Sequence, residues 1–256
     1  MLNMKLAFFD IDGTLAVGRN IPKSTKEALT EFRSTGNQVW IATGRALPYV
    51  EHNFYEWYDG CISYNGRLAS MKDGTVLYEN PLTKEVIAEV KDKLESIHAG
   101  YCFFTKEKGY YAGDMNGFSS MAESWEEGFV IPDTLPSDSI CYSFDVYFGN
   151  DTVKEKVYEV LSDFCILNPH GIHPTMDVTV KGADKGEALR TVSSQLNICD
   201  TYAFGDGMND LTLLEAARIG IAMGNGQEAL KEKADYVTDS IHQDGICSAM
   251  KHFNLI

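Results

Sequence analysis

The chain is built around short apolar runs that leave no side for water, each followed by a helical pattern. "KLAFF" (5–9) reads as a buried strand, and "STKEALTEFR" (24–33) as a helix with its start signal at Ser24. "QVWIAT" (38–43) is a second strand, "ALPYVEHNFYEW" a helix, and "CISY" (61–64) a third strand. The alternation resumes near the C-terminus. "KGEALRTVSSQL" is a helix, "TYAFGD" a strand, "DLTLLEAA" a helix, "IGIAMG" a strand and "QEALKEKA" a helix. Strands without polar alternation, joined by helices, predict an α/β fold: a mostly parallel, doubly wound sheet with helices on both faces.

The middle of the chain departs from this rhythm. "GRLASMKDGTVLYEN" (66–80) reads as a hairpin with Asp73-Gly74 at its turn. The stretch 82–98 is a helix capped by Thr83, with Val86, Val90, Leu94 and Ile97 on one stripe. Strand-like "YCFFT", "GYYAG" and "YSFDVYFG" follow, then a helix over 151–164 and a final strand in "TMDVTVKG" (175–182). Closely spaced strands with segregated helices are α+β patterning. Residues 82–179 therefore read as a second domain inserted into a first one made of 1–81 and 180–256. No internal repeat or low-complexity tract interrupts either part.

A formal charge of −15 over 256 residues argues against a nucleic-acid or anionic-membrane surface. An anionic substrate would have to be attracted locally, against the overall field. The six cysteines are scattered without a CxxC pair, which disfavours a zinc site or a thioredoxin-like motif. The opening apolar segment is too short for a secretory signal, and no apolar run is long enough to span a bilayer. The expectation is a cytoplasmic protein with reduced thiols.

In an open parallel sheet, ligands bind outside the carboxyl ends of the strands. Three polar clusters fall at such ends: "DIDGT" after the first strand, "TGR" (43–45) after the second, and "GDGMND" (205–210) after "TYAFG". Lys185 opens the helix just before that last strand. Asp10, Asp12, Asp206 and Asp210 would repel one another in a shared low-dielectric site. A hard divalent cation resolves the repulsion, and an oxygen-only donor set favours magnesium over zinc. Magnesium prefers phosphate as its remaining partner, while Thr43 offers a hydroxyl and Lys185 a compact positive charge for phosphate oxygens. One aspartate can then attack phosphorus, and a second carboxyl group can move protons to the leaving alcohol and from water. Asp10 suits the first task and Asp12 the second.

The set "DIDGT", "ATGR", "KG" and "GDGMND", in this order, resembles the haloacid dehalogenase (HAD) superfamily. The insert between the second and third motifs, "SYNG" after the third strand and "IAMGNG" near the end are similar to its Cof-type branch (subfamily IIB) of sugar-phosphate phosphatases. The resemblance implies a Rossmann-like core with an inserted α+β cap (type C2B), and hydrolysis of sugar phosphates or similar small phosphomonoesters by a monomer or weak homo-oligomer. It implies Asp10 as nucleophile and Mg2+ ligand, and Asp12 as acid/base lending its backbone carbonyl to the metal. Thr43 and Lys185 would hold the phosphoryl group. Asp206 would complete the metal site, with Asn209 and Asp210 in or beside its shell and Asn209 also near the substrate. Gly44, Arg45, Asn65 and Gly66 would line the entrance.

Plainer readings stand beside these. Asp12-Gly13 could simply turn the chain. Asp210 could be only the N-cap of "LTLLEAA". Lys181 competes with Lys185 as phosphate binder, although the helix-start position favours Lys185. His170 and His173, without a nearby carboxylate or cysteine, make a poor zinc signature and read as an exposed loop. "GYY", Phe103 and Phe104 read as core of the inserted domain, and "KDKLES" as a solvated helix face. At the level of function, a receiver-like phospho-aspartate switch would use similar groups, but in a shorter chain without the insert. A phosphomutase would use the same residues. A dehalogenase would have no need of Asp12 or the metal cluster, and the complete motif set argues against a degenerate binding protein.

Overall fold

Leu6–Phe9 forms β1, buried along its whole length, as four consecutive apolar residues require. The chain continues through α1 (Lys23–Ser34), β2 (Gln38–Ala42), α2 (Leu47–Phe54), β3 (Gly60–Ser63), β4 (Leu68–Met71) and β5 (Val76–Glu79). The next stretch holds α3 (Lys84–Ser96), β6 (Gly100–Phe104), β7 (Gly109–Ala112), α4 (Phe118–Glu123), β8 (Val130–Ile131), β9 (Ser143–Tyr147), α5 (Asp151–Leu161), β10 (Cys165–Pro169) and β11 (Thr175–Val180). The last is α6 (Lys185–Leu196), β12 (Thr201–Gly205), α7 (Leu211–Ala216), β13 (Ile219–Ala222), α8 (Glu228–Lys231), β14 (Tyr236–Val237) and α9 (Gly245–His252). The computed structural model describes residues 4–123, 125, 128–171 and 173–256. The chain forms two compact units, Met1–Glu79 with Asp184–Ile256, and Asn80–Ala183.

The first unit holds an eight-stranded sheet in the order β14-β13-β12-β1-β2-β3-β4-β5. It is parallel from β14 to β3, and β4 and β5 add an antiparallel hairpin at one edge. Leu6, Phe8, Trp40, Ala42 and Ala203 share one core with Ala188, Leu189 and Val192 of α6 and Leu213 and Leu214 of α7. Period-two alternation turns Ala7, Phe9, Val39 and Ile41 to the opposite face. There Phe9 stacks on Phe204 at 4.6 Å between ring centroids, α1 packs on β2 and α9 packs on α1. This is the expected doubly wound α/β arrangement.

The second unit has a six-stranded sheet, β10-β11-β9-β6-β7-β8, antiparallel apart from the β7–β8 pair. Val90 and Leu94 of α3 and Val157 and Leu161 of α5 pack with Phe103, Phe144, Val146, Met176 and Val178 on one face, and Val86 and Ile97 flank them. The Thr83 hydroxyl accepts from Val86 N at 3.3 Å, the expected cap. Phe103 lies in this core, and Phe104 packs with Trp125 and Phe129.

Several local expectations need correction. Ser24 does not cap α1: Pro22 precedes the first turn, and the Ser24 hydroxyl donates to Asp244. Tyr64 does not extend β3 but turns out of it with a positive φ of 53°. The helix expected over 151–164 stops at Leu161, and β10 follows it unforeseen. Pro169 obscures that strand in the sequence, yet a sheet edge tolerates proline because one side of the strand needs no donor. Among the described residues, no helix is long and apolar enough to cross a membrane.

Separate cores have a measurable consequence. Leu94→Ala is expected to cost about 2–5 kcal/mol, a large-to-small loss in a closed core. Native-state hydrogen exchange should show it as lost protection at Tyr101–Phe104, with the amides of β1 and β12 unaffected. Equal losses in both units would mean that they unfold as one.

Candidate active site

β1 delivers Asp10 to the carboxyl end of the sheet, where Asp10 N still donates to Phe204 O at 3.0 Å as part of the ladder. The chain then folds back tightly, with Leu15 N donating to Asp10 O and Ala16 N to Ile11 O. Gly13 makes that turn possible at φ +85°, and a Cβ there would lie 2.4 Å from Asp206 Oδ2. The following Thr14, fully buried, donates its hydroxyl to Asp206 Oδ1 at 3.2 Å. Asn225 ties a third loop in, donating from Nδ2 to Gly13 O at 2.8 Å while its Oδ1 accepts from Ile241 N.

Lys185 enters from the first turn of α6. Asp184 caps that helix by accepting from Gly186 N at 2.7 Å and Glu187 N at 3.2 Å. The Lys185 side chain is 1% exposed, and its Nζ donates to Asp10 Oδ1 at 2.8 Å and Asp210 Oδ1 at 2.6 Å. Asp210 spends its other oxygen on the backbone N–H groups of Asp206 and Gly207, at 3.1 and 3.2 Å. It therefore folds back on the preceding turn: Asp210 occupies the N-cap position of α7, as the plainer reading has it, but its side chain caps nothing there. Lys181, the competing lysine, donates to the carbonyls of Ser162 and Asp163 in the second unit.

Thr43 follows β2 and is buried; its N donates to Ile62 O, and its hydroxyl oxygen accepts from Arg45 N at 3.1 Å. Tyr64 N donates to Arg45 O and Asn65 N to Thr43 O, so "TGR" and "YNG" brace each other. Gly44 leaves room for the Asn65 side-chain amide, which a Cβ would meet at 3.0 Å. Gly66, at φ +98°, sits where a Cβ would fall 2.4 Å from the Asp184 carbonyl. It thus lets this turn press against the start of the lysine-bearing helix. Arg45 Nε donates to Asp12 Oδ2 at 3.1 Å, both side chains partly exposed. Asn209 is exposed on the 3-10 turn Met208–Asp210.

The electrostatics separate these groups. Burial, then the nearby Asp210, pushes the Asp10 carboxyl up to about 7 despite the opposing pull of Lys185. Burial, then Asp210, likewise raises Asp206 to about 6. Burial disfavours charge on Lys185, but Asp10 and Asp210 outweigh it, and the lysine stays firmly protonated. Oxygens of Asp10, Asp206 and Asp210 lie within 4.8 Å of one another and could hold a metal ion. One lysine cannot neutralise three carboxylates, and an all-oxygen donor set suits a hard divalent cation. Asp12 stands outside that trio, held by Arg45.

Sequence reasoning passed over Thr14 and Asn225. Their signal was adjacency: each sits inside or beside a glycine turn at the carboxyl end of a strand. It also misjudged His170, whose Nε2 lies 2.8 Å from Asp177 Oδ1 and whose Nδ1 lies 2.9 Å from Thr175 Oγ1. A carboxylate is near after all, supplied by the next strand. His173 is exposed as expected, and all six cysteines are free thiols.

The family profile of haloacid dehalogenase-like hydrolases matches residues 7–250. The chain is 32% identical over 275 residues to a putative phosphatase, YkrA, of Bacillus subtilis, covering 100% of both proteins. Among solved structures it superposes on a hypothetical protein from Geobacillus kaustophilus with a TM-score of 0.85 and 31% identity, over 99% of this chain and 100% of the other. It also superposes on BT4131, a HAD subclass IIB sugar phosphatase, with a TM-score of 0.76 and 30% identity, over 99% and 100% of the two chains. The carboxylates and lysine gathered at the strand ends thus sit in a chain that belongs to the haloacid dehalogenase-like hydrolases of Cof type, and it is a phosphoric monoester hydrolase.

Proposed function

We propose that the protein is a magnesium-dependent phosphatase of small phosphorylated metabolites, sugar phosphates foremost, acting through a phosphorylated Asp10. The observation that carries this is the buried Lys185 bridging Asp10 and Asp210, with Asp206 completing a three-carboxylate group. A carboxylate fixed 2.8 Å from a lysine ammonium is aimed where a phosphoryl oxygen would find that same ammonium. The sugar phosphatase among its structural relatives supports the substrate class.

Asp10, Asp206 and Asp210 would hold the ion, with the Asp12 carbonyl and Asn209 beside them. Bound there, magnesium supplies positive charge that offsets the carboxylates and the incoming phosphate. Thr43 and Lys185 hold the phosphoryl oxygens while Asp10 attacks phosphorus and the ester P–O bond breaks. Asp12 gives its proton to the departing alkoxide. It then takes one from a water molecule that attacks the aspartyl phosphate, releasing inorganic phosphate and restoring Asp10. Gly44, Arg45, Asn65 and Gly66 shape the entrance. Residues 82–179 serve as a cap that selects the leaving group and keeps water from the first step.

Phosphate release from a panel of sugar phosphates and other phosphomonoesters tests this directly. Turnover is expected with magnesium, to vanish with EDTA, and to fall at least about 1,000-fold in Asp10→Asn, since removing a nucleophile removes the pathway. Substantial turnover by folded Asp10→Asn, or activity indifferent to EDTA, would refute it.

Ion binding can be read without turnover. At about 100 times its dissociation constant, a ligand adds about 2.7 kcal/mol of stability, which for a chain of this size is about 5–10 °C in Tm. Magnesium is expected to raise Tm by that order in the wild type and by less than about 2 °C in Asp206→Asn, which keeps an acceptor for Thr14. An equal rise in both would place the ion elsewhere.

A further inference from the structure

We infer that Tyr49 is a positioning residue for the proposed proton carrier, acting through Arg45. The inference rests on the reading of Asp12 as acid/base, and adds a residue that the four sequence motifs leave out.

Asp12 poses a mechanical problem. Its side chain is 48% exposed and accepts from Arg45 Nε at 3.1 Å. An exposed ion pair of this kind is worth about 0–1 kcal/mol, because holding a long arginine still costs most of what the charges gain. A group that must deliver a proton to a leaving oxygen has to stand within hydrogen-bond reach of it. So flexible a contact would leave Asp12 in the right place only part of the time.

Tyr49 changes that balance. It lies in the first turn of α2, four residues after Arg45, and its ring is only 7% exposed. The Arg45 guanidinium sits over that ring, Cζ 5.1 Å from the centroid, and Arg19 approaches the same ring at 5.9 Å. Phe54, fully buried in the same helix, contacts the tyrosine at 6.2 Å between centroids and keeps the ring from swinging. Tyr64 N holds the Arg45 carbonyl, so main chain and guanidinium are both anchored. A planar cation resting on a fixed aromatic face has little freedom left to lose when it binds a carboxylate. The ring therefore makes the Arg45–Asp12 contact persistent, and Asp12 is presented in one orientation instead of many.

The test exploits leaving-group chemistry. An acid catalyst matters for an alkoxide leaving group and little for p-nitrophenolate, which departs without a proton. The enzyme is assayed on the best sugar phosphate of the panel and on p-nitrophenyl phosphate, in steady state and with a rapid-mixing burst of p-nitrophenolate. Tyr49→Leu is expected to lower kcat on the sugar phosphate about three- to tenfold, with KM within about twofold. The p-nitrophenolate burst rate should stay unchanged, and Tyr49→Phe, which keeps the ring face, should restore most of the loss. Tyr49→Met fills the space beside Phe54 with a flexible side chain that has no ring face, and should show the same discrimination. It covers the case in which Tyr49→Leu does not fold. A p-nitrophenolate burst rate that falls as far as kcat on the sugar phosphate, a loss confined to KM, no loss, or failure of the phenylalanine to rescue would each overturn the inference. Asp12→Ala separates the two layers: if it too shows no leaving-group discrimination, the acid/base reading fails first and takes the inference with it.

Discussion

Everything at the sheet's carboxyl end is arranged around one buried ammonium. Lys185 Nζ lies between Asp10 and Asp210 with 1% of its side chain exposed, a place where an unpaired charge would cost several kcal/mol. The surroundings are built to keep it paired. Asp184 holds the start of α6, Gly66 allows the turn after β3 to close on that start, and two backbone N–H groups hold Asp210 in place. Loosening any of these would strand a cation among carboxylates, or carboxylates without a cation.

The lysine does not balance the cluster. Asp10 and Asp206 are both pushed up by burial and by Asp210, so the fold tolerates local repulsion at this point. Mutual repulsion among buried carboxylates suits a cationic partner at this point. It agrees with the hydrolase family to which the chain belongs, and with a proposed nucleophile that must meet a phosphate dianion in a chain of charge −15.

Asp10 and Asp12, two positions apart, have opposite surroundings. Asp10 is buried and paired with a lysine, whereas Asp12 is half exposed and paired with an arginine that stands on an aromatic ring. Strand geometry would send side chains two positions apart to the same side; β1 ends at Phe9, and the turn through Gly13, at φ +85°, separates the two. Carboxylates placed in such different environments can take different chemical roles: a fixed one suits attack, and a reachable one suits proton transfer.

The alternation of apolar runs and helices determined the doubly wound sheet, because strands buried on both faces must lack polar alternation. The same runs ended in "DIDGT", "TGR" and "GDGMND", so Asp10, Thr43 and Asp206 were legible as strand-end groups from spacing alone. What spacing could not carry was contact between distant residues. Asp210 reads equally well as a helix cap until its carboxylate is seen folded back onto Asp206 N. Gly66 reads only as an entrance residue in the sequence, where its close approach to the Asp184 carbonyl leaves no sign. His170 acquires its carboxylate from the neighbouring strand, and β10 hides behind Pro169. Local patterns express which conformations a segment prefers, and those are set within a few residues. Which charges share a buried volume depends on loops that meet across 175 positions of sequence, as Lys185 meets Asp10, and only the packed chain decides that.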